Sequence, residues 1–182
     1  MRRQRHLGLL TQFIIENNIK KIAEVGVEKG GMTRYLLKTC PNIEEYWAID
    51  QWKVISDLVH GFRAIQRNEN DWFKLYQRVC KSMIGWKSLR VLHMISVEAA
   101  MVFPDEYFDF VYVDADHSYK GVLSDIAVWY PKVKKNKYLG GHDYNKKYVK
   151  KAIWHQFGNP FKDDCLGLLN RHVWLKQKKV GD

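Results

Sequence analysis

The sequence predicts an α/β fold in which a single doubly wound, mostly parallel sheet carries helices on both faces. Short apolar runs alternate with longer amphipathic stretches, which is the element order of a parallel sheet with crossover helices. Several of these runs are apolar throughout, as expected of strands that are buried on both faces. The first run leads into a glycine-rich turn and the second ends in an acid, at the strand ends where such sheets bind ligands.

The first part of the chain starts the alternation of helices and strands. The opening helix is amphipathic and ends at the pair Asn17-Asn18, and the next helix ends before Pro41. The strands between them are short and apolar, and the second is rich in aromatic and β-branched residues. The predicted elements are a helix over about 7–18, a strand over 21–26, a helix over 32–37 and a strand over 45–50.

The rest of the chain continues the same pattern. A long helical region begins near Val54, is interrupted near Asn68-Glu69-Asn70 and ends near Trp86, and we expect Asn70 to cap its second piece. The remaining predicted elements are strands over 91–95 and 108–114, a helix over 121–129, a strand over 138–141, a helix over 147–157 and a strand over 173–175. Because no linker or repeat is visible, we expect one domain over 1–182, with an N-terminal helix (1–19), a core (20–157) and a C-terminal strand region (158–182).

The composition and the N-terminus indicate the cellular compartment. No apolar run approaches the roughly 18 residues that a membrane-spanning helix needs, and the basic N-terminus leads into an amphipathic pattern that differs from a secretory signal. The cysteines Cys40, Cys80 and Cys165 are odd in number and show no metal-binding spacing, so we expect free thiols in a reducing compartment. The sequence therefore predicts a cytoplasmic protein with no membrane partner.

The charge balance points to an anionic partner. Lysine and arginine number 30 against 20 acids, a formal net charge of +10. The densest basic stretch, from Lys132 to Lys151, is nearly all lysine and lacks the arginine fork that grips guanine or phosphate. Nucleic acid is thus an allowed but not a favoured partner, and an anionic small-molecule acceptor fits the same charge.

The glycine turn and the acid that follows it indicate a nucleoside site. The turn has the spacing acid-x-Gly-x-x-x-Gly, from Glu24 through Gly26 to Gly30, and lacks the G-x-G-x-x-G spacing that a dinucleotide pyrophosphate needs. Asp50 closes the next strand at about the distance where a ribose-binding acid is expected. A strand-terminal Asp can equally form a turn, but its pairing with the glycine turn favours a ligand role for Asp50.

These residues belong to blocks that resemble a known family. Residues 22–33 and Trp47-Ala48-Ile49-Asp50 resemble the first two motifs of class I S-adenosylmethionine-dependent methyltransferases, whose fold is Rossmann-like. Residues 108–119, with Gly141-His142-Asp143-Tyr144, resemble one subgroup closely. That subgroup is the methyltransferase-24 family, which is related to the macrolide-sugar and catechol-type O-methyltransferases. The resemblance covers about residues 20–157.

The resemblance implies S-adenosylmethionine as the cofactor and assigns residues to it. Glu24, Gly26 and Gly30 would line the methionine part, Asp50 would hold the ribose, and Ser96 would lie near the adenine. Thr33, Gln51 and Asp114 would complete the cofactor-binding set. The chain departs from the family at Lys135-Asn136-Lys137, which replaces a Pro-Gly-Gly turn, and we expect Asn136 to keep the left-handed conformation.

The reactive groups follow two strands that we expect to be neighbours. Asp114, Asp116 and His117 leave the fourth strand, and His142 and Asp143 leave the fifth. In one interpretation, Asp114, His142 and Asp143 bind a divalent cation (Mg²⁺ or Mn²⁺) that activates a hydroxyl, and Asp116 or His117 takes its proton. In a second, His117 or His142 is a metal-free general base oriented by Asp116 or Asp143. In a third, these residues only cap helices.

The predicted activity is methyl transfer from S-adenosylmethionine to a hydroxyl or amine of a small-molecule acceptor, with metal assistance as one option. Two alternatives stay open: an RNA methyltransferase that uses the lysine stretch, and a non-catalytic S-adenosylmethionine-binding protein.

Overall fold

The computed structural model describes residues 2–53, 68–158 and 166–181, with side chains for all of these except residues 2–5 and 166. In this part of the chain, one seven-stranded sheet has the order β3-β2-β1-β4-β5-β7-β6. Strands β1 to β5 run parallel, and β7 is antiparallel to both of its neighbours. The strands are β1 (Lys21–Val25), β2 (Glu45–Asp50), β3 (Leu89–His93), β4 (Phe108–Val113), β5 (Val133–Gly141), β6 (Leu166–Asn170) and β7 (Val173–Gln177).

Helices cover the sheet on both faces, as predicted. They are α1 (Arg2–Glu16), α2 (Gly31–Thr39), α3 (Glu69–Ser82), α4 (Ser96–Ala100), α5 (Tyr119–Trp129) and α6 (Lys147–Phe157). One apolar cluster joins the sheet to α4, α5 and α6, and the other joins it to α1, α2 and α3. β4 is buried along its whole length because Val111 and Val113 face the first cluster while Phe110 and Tyr112 face the second.

The strand order reverses between β1 and β4, and this switch point fixes where ligands can bind. The chain passes from β1 outward through β2 and β3, returns to β4 and then continues to the other edge. The loops that follow β1 and β4 therefore leave the sheet side by side in opposite directions, which opens a crevice at the carboxyl ends of the strands. Most of the predicted site residues lie at or after the carboxyl ends of β1, β2, β4 and β5, and Ser96 follows β3.

Several predicted boundaries need correction. Helix α1 begins at Arg2 rather than Leu7, and β3 spans Leu89–His93 rather than 91–95 because Ser96 already starts helix α4. Asn68, not Asn70, caps α3, since its side chain accepts a hydrogen bond from the Asp71 amide at 2.9 Å. The predicted helix over residues 54–67 lies outside the described residues.

The edge beyond β4 is longer than predicted. β5 begins at Val133 rather than Tyr138, and β6 was missed. Asn136 has the expected left-handed conformation (φ 60°), in the stretch of β5 where its register with β4 shifts. Among the helices that the structure describes, none combines the length and the apolar character that a membrane span requires.

The close approach of β5 to its two neighbours gives a stability prediction. A Cβ atom on Gly141 would lie 2.4 Å from the Val113 carbonyl oxygen and 2.8 Å from Nε1 of Trp174. We expect Gly141→Ala to lower the free energy of unfolding by about 1–3 kcal/mol, because neither the strand backbone nor the packed indole can yield easily. Gly8→Ala is the control, since a Cβ there meets no atom within 4 Å and alanine favours the helix. Urea unfolding measures both, and equal stabilities would contradict the packing argument.

Candidate active site at the carboxyl ends of the strands

The glycine loop between β1 and α2 is held from the end of β2. Three of its residues have positive φ values: Gly26 (95°), Glu28 (47°) and Gly30 (65°). The Asp50 carboxylate accepts hydrogen bonds from the Val27 and Glu28 amides at 2.9 and 2.8 Å, and from the Trp52 amide at 2.7 Å. Asp50 therefore stabilises the loop itself, in addition to the ribose contact predicted for it.

Gly26 is required by the neighbouring strand. A Cβ at this position would lie 2.2 Å from the carbonyl oxygen of Asp114 and 2.8 Å from the Ala115 amide nitrogen. The Asp114 amide in turn donates to the Val25 carbonyl at 2.7 Å, so the ends of β1 and β4 are in direct backbone contact. This contact brings the glycine loop next to Asp114.

Glu24 lies beneath the loop and is 2% exposed. Its carboxyl accepts hydrogen bonds from the Thr33 hydroxyl and, at 2.6 Å, from the Tyr46 hydroxyl. Burial raises the pKa of Glu24 to about 8, although these two hydrogen bonds lower it. Glu24 and Thr33 thus support the loop from inside, and the contact with the methionine part stays a prediction.

Residues after β2, in α3 and at the end of β3 form an aromatic wall. Trp52 is 3% exposed and donates its indole N–H to the Glu28 carbonyl at 2.9 Å. Its ring packs against that of Tyr76, with 5.0 Å between the ring centroids. The Gln51 carbonyl oxygen lies 2.7 Å from Nε2 of His93, whose ring packs on Tyr76 at 4.5 Å. Gln51 is therefore fixed through its backbone.

Ser96 begins α4 and is linked to a buried acid that the sequence analysis missed. Its hydroxyl donates to Asp125 at 2.5 Å and accepts from the Trp129 indole N–H at 2.9 Å. Asp125 is 4% exposed and burial raises its pKa to about 7. The sequence held one signal for Asp125, an acid in the apolar stripe of α5.

The groups that follow β4 and β5 converge on one histidine. Nε2 of His117 lies 3.1 Å from Oδ1 of Asp114 and 2.8 Å from Oδ2 of Asp143. Nδ1 of His142 lies 3.2 Å from Oδ1 of Asp143 and 4.0 Å from Oδ1 of Asp114. Lys146, which the sequence analysis did not select, also pairs with Asp143. The predicted pairing of β4 with β5 is present, and it brings together four of the five groups expected at these strand ends, all but Asp116.

Contacts within this cluster shift the pKa values of His117, His142 and Asp143. Burial lowers the pKa of His117, but the hydrogen bonds that its imidazole donates to Asp114 and Asp143 outweigh burial and raise that pKa to about 9. The hydrogen bond to Asp143 likewise raises the pKa of His142. Burial would raise the pKa of Asp143, yet its bonds to His117, His142 and Lys146 hold it well below the usual value.

Asp116 points away from this cluster. Its two carboxylate oxygens accept hydrogen bonds from the amide and the hydroxyl of Ser118, each at 2.8 Å. The Ser118 hydroxyl accepts from the Gly121 amide at 3.0 Å and caps α5. Asp116 therefore shapes the start of α5, which is the capping role that the third interpretation gave it.

Three groups could hold a cation, and they differ from the predicted set by one residue. Asp114, His117 and Asp143 each offer a ligand atom, and these atoms lie within 4.8 Å of one another in the described part of the chain. His142, the predicted third ligand, instead contacts Asp143 and lies between the rings of His6 and His172, at 5.4 and 5.9 Å between centroids. His6 and His172 come from distant segments, so no spacing in the sequence indicates them.

Much of the lysine stretch is engaged within the protein. Lys132 and Lys134 form ion pairs with Asp105 and Asp109 at 2.7 and 2.8 Å, and Lys135 pairs with Glu106 at 3.8 Å. Lys137 donates to the Asn17 carbonyl at 3.0 Å. The lysines in the first half of the stretch therefore bind neighbouring parts of the protein. This weakens the case for a continuous lysine surface that binds nucleic acid.

The chain matches one protein family over most of its length. The methyltransferase-24 family model, described as a methyltransferase domain, matches residues 23–144. No match to the sequence was found among curated proteins.

Solved structures of methyltransferases share the fold. The O-methyltransferase NovP is 18% identical with a TM-score of 0.69, over 98% of this chain and 80% of that one. The N-methyltransferase NodS from Bradyrhizobium japonicum WM9 is 14% identical with a TM-score of 0.57, over 96% and 93% of the two chains. An O-methyltransferase family protein from Burkholderia thailandensis is 12% identical with a TM-score of 0.64, over 98% and 57%. The Rossmann-like fold prediction is thereby confirmed.

The raised pKa of Glu24 predicts how stability depends on pH. A carboxyl with a folded-state pKa near 8 stabilises the protein fully below its unfolded pKa of 4.5, and this contribution is lost as the pH rises toward 8. We expect Glu24→Gln to remove a slope of up to about 1.4 kcal/mol per pH unit between pH 5 and 8. Chemical denaturation across this range measures the difference from the wild type. Parallel pH profiles would show that Glu24 is ionised in the folded protein.

Proposed function

Since this chain belongs to the methyltransferase-24 family of methyltransferase domains, we propose that it transfers a methyl group to a hydroxyl of a small-molecule acceptor at Asp114, His117 and Asp143. The family identifies the chain as an S-adenosylmethionine-dependent methyltransferase. The observation that carries the proposal is the position of His117, which bridges two carboxylates from neighbouring strand ends. The proposed site adjoins the glycine loop through the contact between Gly26 and Asp114.

The glycine loop fits a donor without phosphates. The amides of Gly26, Val27, Glu28 and Gly30 already donate to Ile49, Asp50 and Val27, so they are not available to cradle a pyrophosphate. Asp50 keeps lone pairs for a ribose hydroxyl, because each of its oxygens can accept more than one hydrogen bond. These features support S-adenosylmethionine over a dinucleotide, with Gly26, Gly30 and Asp50 at the methionine and ribose ends.

The residues beside the donor need to supply orientation and proton removal. S-adenosylmethionine supplies a methyl group on a sulfonium, which leaves the protein to align the acceptor and to take its proton. His117 is the better placed of the predicted bases, since the carboxylate of Asp116 is committed to Ser118. Because its pKa is raised to about 9, His117 takes a proton only in its neutral form, which is favoured at alkaline pH or when a bound cation replaces its proton. His142 would orient Asp143, to which it is hydrogen-bonded.

The donor set of the proposed site also fits a divalent cation. Two carboxylates and an imidazole within 4.8 Å suit manganese, iron or zinc better than magnesium, which prefers oxygen ligands only. Asp114, His117 and Asp143 would hold the ion, whose charge would lower the pKa of an acceptor hydroxyl. The positive charge that His117 places beside both acids, and that Lys146 places beside Asp143, indicates that this position favours a cation.

Direct titration tests the donor. We expect S-adenosylmethionine to bind to the purified protein and neither NAD nor ATP to displace it, because four amides of the glycine loop are already hydrogen-bonded. Asp50→Asn should weaken donor binding about tenfold or more, since it removes charge-assisted bonds to the loop amides. Asp105→Asn is the matched control, as Asp105 is an exposed acid that pairs with Lys132 away from the site. Binding of NAD or ATP in place of the donor would overturn the assignment.

Activity tests the acceptor class and the acids together. Formation of S-adenosylhomocysteine is measured with panels of hydroxylated and amine-bearing small molecules, and with single-stranded RNA, each with Mn²⁺ or with EDTA. We expect turnover with hydroxylated acceptors and Mn²⁺, and a loss in kcat/KM of about a hundredfold or more in Asp143→Asn, with none in Asp105→Asn.

The other outcomes contradict separate parts of the proposal. Full activity in EDTA would contradict the need for a cation, and His117 would then act as a metal-free base. Turnover restricted to RNA or to amines removes the hydroxyl acceptor. Donor binding with no turnover and no effect of Asp143→Asn leaves a non-catalytic binding protein.

A further inference from the structure

A basic groove lies beside the glycine loop, apart from the acids of the proposed catalytic site. It encloses about 550 Å³ between the loop, α2 and α3. Four cations line it: Lys29 from the loop, Arg34 from α2, and Lys74 and Arg78 from α3. Leu75 and Val79 of α3 give it an apolar wall.

Among the residues that the structure describes, few acids compensate the charges of the basic groove. Within the described ranges, Arg34, Lys74 and Arg78 form no ion pair, although a carboxylate, Asp71, also lines the groove. Lys29 lies 3.6 Å from Glu28, and both side chains are exposed to solvent. Like charges that converge without partners repel one another, so an anion that enters the groove gains their combined field.

Arg34 connects the groove to the glycine loop. Its Nη1 atom donates to the Lys29 carbonyl at 2.9 Å and to the Ser82 hydroxyl at 3.0 Å. The Ser82 hydroxyl in turn donates to the Val79 carbonyl at 2.8 Å. One guanidinium therefore ties the loop to α3, and any ligand that orders Arg34 also orders the loop.

We propose that the basic groove binds a phosphorylated small molecule, and that this binding is coupled through Arg34 to the glycine loop. Two arginine forks match the geometry of phosphate oxygens, and two lysines add point charges. The volume is that of a small-molecule site. Because the amides of Gly26, Val27, Glu28 and Gly30 are occupied, we expect the side chains of the groove to provide most of the contacts to the phosphate.

Titration with inorganic pyrophosphate at constant ionic strength, set with NaCl, tests the binding half. We expect Arg78→Ala to weaken pyrophosphate binding about tenfold, because a charge-assisted fork is lost. Lys81→Ala is the matched control, since Lys81 is an exposed cation on the same helix that does not line the groove. We expect it to change the affinity less than about twofold. Equal losses in both variants, or no binding by the wild type, would overturn the site. Lys74→Ala provides a second variant should Arg78→Ala fold poorly.

The coupling half rests on the proposed donor site and has its own measurement. We expect saturating pyrophosphate to tighten the binding of S-adenosylhomocysteine about fivefold, with the reciprocal change in pyrophosphate affinity. Arg34→Lys keeps the charge but loses the fork, so it should abolish the coupling and retain most of the pyrophosphate affinity. If pyrophosphate binds without changing the affinity for S-adenosylhomocysteine, the coupling is refuted, but the groove remains a pyrophosphate site. Loss of nucleoside binding altogether would instead refute the donor assignment.

Discussion

The hydrogen bonds that the Asp50 carboxylate accepts are the constraint on which the carboxyl edge of the sheet depends. A loop with positive φ values at Gly26, Glu28 and Gly30 is strained, and Glu28 carries a cost that a glycine would not. Three backbone hydrogen bonds to one carboxylate offset that cost and define the direction in which the chain enters α2. The same carboxylate fixes Trp52, and through the Trp52 indole it fixes the Glu28 carbonyl.

Charge compensation is the second constraint, and it acts on the other side of the switch point. Asp114 and Asp143 come from adjacent strands, so the sheet brings like charges together whatever else the chain does. His117, His142 and Lys146 supply the opposite charge within the protein, which makes the cluster tolerable in the absence of a ligand. A substrate or cation that enters must compete with these internal partners, and this competition makes ligand binding at the site dependent on protonation.

Periodicity and strand ends were enough to predict the fold and the meeting of the acids. Parallel strands must present their carboxyl ends at one edge, so Asp114 and Asp143 could be placed together from the sequence. Side-chain direction could not be predicted in the same way: Asp116 turns to Ser118, while its neighbour His117 turns to the acids. Residue type alone also gave the wrong cap for α3. Asn68 and Asn70 are equally good N-cap residues, and only the position at which the helix begins decides between them. Contacts across the fold, such as that between Ser96 and Asp125, leave no spacing to detect.

The glycine loop and the basic groove are suited to ligands of opposite charge. Many nucleotide sites bind phosphate with free amides at the start of a helix, but here the amides of Val27 and Glu28 are bonded to Asp50. A negative carboxylate occupies the place that a phosphate would need, which favours a cationic donor beside the loop and disfavours an anionic one. Anion binding is then left to side chains outside the loop, where Arg34 and Arg78 lie without carboxylate partners among the described residues. Since Arg34 also bonds the Lys29 carbonyl, the two sites share a structural element without sharing a ligand.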